Sequence, residues 1–161
     1  MLAGGRDGQA RLLRSRDGQP EQTWRGPHGP VWAVALSADE RLAALGTQEG
    51  PVRVLRVPSG EVVADLEGHH DRVQAAAFRG DGRLLATGSF DRTVRVWQRA
   101  GDTFRLLLTL RFPTGPVTEV GFSPDGNLLG VHVRNEAAVR VWHLDRLRET
   151  LARLHLDDEG W

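Results

Sequence analysis

The sequence predicts an all-β protein assembled from repeated four-stranded antiparallel sheets that stack on one another. Three observations carry that prediction. Short apolar runs alternate with Gly, Asp and Pro turn signals along almost the whole 161-residue chain, which is the pattern of many short strands. The runs recur with a period near 42 residues, and a fixed period of that length marks a repeat architecture. Many of the runs are apolar on both faces. A lone sheet cannot bury both, so neighbouring sheets must cover them.

The period is anchored on Trp97, in TVRVWQ. Leu55, in PVRVLRV, stands 42 residues earlier, and Leu13, in QARLLRS, another 42; Trp142, in AAVRVWH, follows 45 residues on. A second anchor agrees: Val31, Val73 and Val117, spaced 42 and 44, each open an apolar run. Aligning Asp7 with Asp91 places Met1 inside a strand, so the first unit lacks its opening strand and keeps strands near 2–4, 9–14 and 21–25. The second unit predicts strands at 31–36, 41–46, 52–57 and 61–66, and the third at 73–78, 83–88, 93–98 and 104–110. The fourth predicts 117–122, 127–133 and 138–143, with no fourth strand. Gly80-Asp81-Gly82 and Pro124-Asp125-Gly126 supply hairpin-turn chemistry between the first two strands of their units. After His143, Leu144, Leu147, Leu151 and Leu154 form a helical stripe, flanked by Asp145 and Arg153 in dipole-favoured positions. That predicts a helix over residues 145–155 and an acidic tail.

Composition narrows the function classes. Net charge is zero, so no global field favours nucleic acid or an anionic membrane. All 21 basic residues are Arg, and Lys, Ile, Tyr and Cys are absent. Without Cys there is no disulfide framework, thiol nucleophile or Cys-ligated metal. The N-terminal MLAGGRDGQARLLR has no apolar signal core, and no run reaches membrane-spanning length. The expectation is a soluble cytoplasmic protein.

The stretch Leu66–Trp97, LEGHHDRVQAAAFRGDGRLLATGSFDRTVRVW, is the fullest unit. A Gly-His pair at its start, four strands per period and a Trp ending the third strand resemble the WD-repeat β-propeller family. The likeness is strongest there, good at FSPDGNLLG with AAVRVW, and weaker before residue 60; no Trp-Asp dipeptide occurs, since Gln98 follows Trp97 and His143 follows Trp142. The resemblance implies an all-β, partial β-propeller of about 3.5 four-stranded antiparallel blades, with a short C-terminal α-helix. The propeller segment spans residues 1–143, with blades about 1–25, 31–66, 73–110 and 117–143, and residues 144–161 form the helix and tail. A helix after the last blade is similar to the tails of bacterial WD-repeat proteins. The mid-unit start is the expectation for a C-terminal part of a longer propeller. Two copies joining in a homodimer would give a ring of about seven blades. An open arc standing alone would expose apolar blade faces.

His69, Thr87 and Asp91 invite a triad reading. The resemblance instead implies a buried hydrogen-bond tetrad of His69, Thr87, Asp91 and Trp97 that ties loops to strands. That structural reading outweighs catalysis, because a triad requires an exposed nucleophile. The second unit has Pro27, Leu45, Glu49 and Leu55 at these positions, and the fourth has Pro113, Val131, Asn135 or Glu136, and Trp142. His69, His70 and Asp71 make a poor metal site, since adjacent side chains diverge and no further ligand stands at useful spacing. No catalytic, metal or cofactor residue is assigned. By the same resemblance, partners would meet Arg6, Pro30, Trp32, Gln48, Arg72, Gln74, Phe90, Pro116, Thr118 and Arg134, where loops leave one end of the blades. Ordinary loop exposure explains any one of these alone. Trp, Phe and Arg carry binding hot-spot chemistry as a group.

The expected function is therefore a non-catalytic scaffold for protein–protein interaction, with no nucleic acid, membrane or cofactor partner. Two other readings stay open: the sensor or regulatory end of a larger enzyme such as a bacterial Ser/Thr kinase, and an inert truncated remnant.

Overall fold

The computed structural model describes residues 1–147. Fourteen strands, β1 to β14, form four antiparallel meanders. Blade 1 holds β1 (Leu2–Gly4), β2 (Gln9–Leu13) and β3 (Pro20–Arg25). Blade 2 holds β4 (Val31–Leu36), β5 (Leu42–Thr47), β6 (Val52–Arg56) and β7 (Val62–Leu66). Blade 3 holds β8 (Val73–Phe78), β9 (Leu84–Ser89), β10 (Thr93–Ala100) and β11 (Thr103–Arg111). Blade 4 holds β12 (Val117–Phe122), β13 (Leu128–Val133) and β14 (Val139–His143). The architecture is a partial β-propeller. Residues 144–147 begin in helical conformation; the rest of the helix expected over 145–155, and the acidic tail, lie outside the described residues.

Packing between blades explains the doubly apolar strands. β5 and β9 are buried at every position. Val52 and Val54 of blade 2 pack with Val73, Leu85 and Trp97 of blade 3. Val94 and Val96 of blade 3 pack with Leu129, Val131 and Val133 of blade 4. Burying one such side chain contributes about 1.5–3 kcal/mol, so these seams hold the arc together.

Each seam closes on a glycine. A Cβ added to Gly4 would lie 2.9 Å from a methyl of Val31, one on Gly46 2.6 Å from Val73, and one on Gly88 2.5 Å from Val117. One strand in each of blades 1 to 3 thus leaves its Cβ out where the next blade's first valine arrives. Blade 4 departs from this. Its register puts His132 opposite Val139, as Gly88 stands opposite Val94 and Gly46 opposite Val52. A further blade seated in the same way would bring its first valine onto the imidazole of His132.

Candidate functional site

The loops at one end of the blades repeat a single construction. The residue before each first strand accepts a backbone hydrogen bond from the residue after the second strand: Gln48 to Pro30 at 3.0 Å, Phe90 to Arg72 at 2.9 Å, and Arg134 to Pro116 at 2.8 Å. Pairing of the first two strands then slips by one residue in all three blades, between Val31 and Ala33, Val73 and Ala75, and Val117 and Glu119. The extra residues are Trp32, Gln74 and Thr118. A bulge re-aims the side chain it carries. With part of β12, these three line a hollow of about 450 Å3 together with Glu119.

Five of the ten candidate surface residues form one continuous row. The Arg6 guanidinium lies 5.4 Å from the centre of the Trp32 ring, and Arg72 lies 4.5 Å from the same ring. Arg72 also lies 3.9 Å from the Phe90 ring, over which Arg134 stands at 4.9 Å. The row Arg6–Trp32–Arg72–Phe90–Arg134 crosses all four blades. Each cation over a ring contributes about 0.5–2 kcal/mol, more as it loses water. Gln48, Gln74 and Thr118 stand beside the row; Thr118 is 2.8 Å from His132 Nδ1.

Beneath the row, His69, Thr87, Asp91 and Trp97 are joined end to end. Trp97 Nε1 donates to Thr87 Oγ1 at 2.9 Å, His69 Nε2 lies 2.8 Å from that oxygen, and His69 Nδ1 lies 2.9 Å from Asp91 Oδ2. An indole only donates and a carboxylate only accepts. With the imidazole hydrogen on Nδ1, every atom has a complementary partner. Asp91 also accepts from the His70 amide and from the amide and hydroxyl of Thr93. Burial alone would raise the Asp91 pKa, but the bonds from His69 and Thr93 hold it far below the usual carboxylate range. Thr87 is fully buried and His69 is 5% exposed. The group offers no accessible nucleophile, and it clamps the loop carrying Arg72 onto the turn carrying Phe90.

The other blades use different chemistry at these positions. Leu45 and Leu55 pack in an apolar cluster with Trp24 and Val31. In blade 4, Trp142 meets Phe112 edge-on at 5.4 Å. Of the two acids or amides considered there, Glu136 is the one engaged, by Arg140 and by Thr114. His69, His70 and Asp71 do not converge, since Asp71 caps its neighbour Arg72's amide.

Sequence reasoning passed over one set of residues. Arg11, Arg53, Arg95 and Arg140 occupy the same place in each third strand. Arg11 holds Asp7, Arg53 holds Asp65 through two bonds, Arg95 donates to the Gly68 carbonyl, and Arg140 holds Glu136. Hydrogen bonds from these arginines lower the pKa of Asp7, Asp65 and Glu136. The repeating arginine was visible in the sequence. Its partner, which changes from blade to blade, was not.

Blades stacked edge-on, a buried His-Thr-Asp-Trp relay in one of them, and a loop surface spanning all four define a propeller-type repeat protein. Residues 60–98 match the family described as WD domain, G-beta repeat. The chain carries a WD repeat running from the last strand of blade 2 through the third strand of blade 3. Among curated proteins, none matches the chain.

Proposed function

We propose that the protein is a non-catalytic interaction scaffold whose working surface is the loop end of the blades. The observation that carries this is the row from Arg6 to Arg134, in which candidates drawn from four separate units meet side by side. Trp and Arg side chains are enriched among the anchors of protein interfaces. The His69, Thr87 and Asp91 group is sealed in the structure. Affinity capture with wild type and with a Trp32→Ala/Phe90→Ala variant tests the reading. Proteins retained by the first and lost by the second, at equal melting temperature, support it; identical capture contradicts it.

A second surface supports self-association. Val139 and Val141 of β14 are 59% and 53% exposed, and with Phe122, Leu128 and His132 they line an open hollow of about 410 Å3. Light scattering across a concentration series tests this: a dimer abolished by Val139→Glu is expected, and a monomer at all concentrations refutes it.

A further inference from the structure

We infer that the loop-end row binds an acidic, carboxylate-rich segment of a partner protein, with Arg72 as its central anchor. This rests on reading that face as protein-binding, and adds the chemistry of the partner.

Three features point to carboxylates. First, the row presents three cations, and among the described residues the guanidiniums of Arg6, Arg72 and Arg134 have no carboxylate partner. This contrasts with the third-strand arginines Arg11, Arg53 and Arg140, which are already neutralised by Asp7, Asp65 and Glu136. Asp71, the acid next to Arg72 in sequence, is turned onto a backbone amide. Second, the Arg72 guanidinium packs on two rings, 4.5 Å from the centre of Trp32 and 3.9 Å from that of Phe90. Its Nε is buried without an acceptor, as is the Trp32 indole nitrogen. A buried donor without a partner is costly to leave unmade, and a guanidinium fork of fixed orientation matches a carboxylate in two-point fashion. Third, the mounting is rigid. Phe90 precedes Asp91, the Asp91 carboxylate binds the amide of His70, and the Asp71 carbonyl accepts from Ser89 Oγ, whose oxygen in turn takes the Asp91 amide. Binding therefore needs little further ordering of the loops.

The same geometry disfavours single-stranded nucleic acid. Base stacking needs an open ring face, and each ring of the row already carries two guanidiniums, Arg6 and Arg72 on Trp32 and Arg72 and Arg134 on Phe90. A net charge of zero supplies no field for tracking phosphates. The spacing across four blades suits an extended segment with acidic side chains at intervals.

Fluorescence anisotropy on the full chain tests the proposal, using labelled oligoglutamate, oligolysine, neutral Gly-Ser peptide and oligothymidylate as probes. Oligoglutamate is expected to bind best and to weaken with salt. Arg72→Gln is expected to reduce its affinity at least tenfold, and Arg72→Lys nearly as much, because Lys keeps the charge and loses the fork. Arg16→Gln removes the same charge from an exposed site in blade 1 and is expected to leave binding unchanged. Melting curves of each variant show that it remains folded. Equal losses from Arg16→Gln and Arg72→Gln would overturn the proposal, as would oligothymidylate binding in preference to oligoglutamate. Binding of the neutral or basic peptide that depends on Trp32 and Phe90 overturns the acidic partner while leaving a protein-binding face. Indifference of every probe to substitutions along the row defeats both.

Discussion

Blades 3 and 4 carry the same pair of residues in their third strands and treat them oppositely. Val94 and Val96 are fully buried, whereas Val139 and Val141 are 59% and 53% exposed. The difference lies in what covers them. Blade 4 lies on blade 3, while among the described residues no sheet lies on blade 4. The polar interior differs in step. Blade 3 holds its turn acid through a buried imidazole; blade 4 holds Glu136 through an arginine at the surface. Identical strand patterns thus stand in a covered sheet in one place and, among the described residues, on an uncovered face in the other. The surface row draws on both, since Arg72 and Phe90 sit over the rigid relay and Arg134 sits over the open blade.

Substitution in the blade 3 relay is expected to have the largest effect. Asp91→Ala leaves His69 and Thr93 without their acceptor inside the protein and is expected to cost about 3 kcal/mol. Glu49→Ala, at the matching place in blade 2, is exposed and is expected to cost under about 0.5 kcal/mol. Equal losses in melting temperature would contradict the assignment. Next comes the seam. Val94→Ala is expected to cost about 2 kcal/mol by lost burial and a residual cavity, and Val139→Ala under about 0.5 kcal/mol, both read from denaturant midpoints.

Acid sharpens the same contrast. The folded-state pKa of Asp91 is depressed, so its contribution is fully present above the ordinary value of 3.8 and is lost as pH falls below 3.8 toward the folded value. Melting temperature should therefore fall below about pH 4, and less steeply in Asp91→Asn than in wild type. An unchanged slope would show that Asp91 is not the group titrating.

The smallest expected effect is stabilising. In the first hairpin turn of blade 2, Glu40 adopts φ 56°, where blades 3 and 4 have Gly82 at 68° and Gly126 at 74°. Glu40→Gly should raise stability by about 0.5–1 kcal/mol, because a side chain pays a steric cost in the left-handed region that glycine escapes. A lowered melting temperature would show that the Glu40 side chain makes a compensating contact.

Much of the fold was legible. The 42-residue spacing places each strand within a residue or two at most ends because apolar patterning follows burial directly. β10 and β11 run longer than the pattern suggests, with a bulge between Val96 and Trp97. The tetrad could be read because all four residues fall within Leu66–Trp97, the stretch where the resemblance is strongest. The surface row could be drawn up only as separate residues. Its contacts join side chains from different blades, and its geometry depends on bulges at Trp32, Gln74 and Thr118, which are properties of cross-strand register. The correspondence of His132 with Gly46 and Gly88 was hidden for the same reason: it emerges only once His132 is paired opposite Val139.

Hydrogen exchange at low protein concentration tests most directly that blade 3 is the rigid centre and blade 4 the open edge. β10 is bonded on both sides, by β9 and β11, and β14 on one, by β13. The account predicts that the amides of β9 and β10 exchange slowest in the molecule and those of β14 far faster. Protection of β14 equal to that of β10 would contradict it.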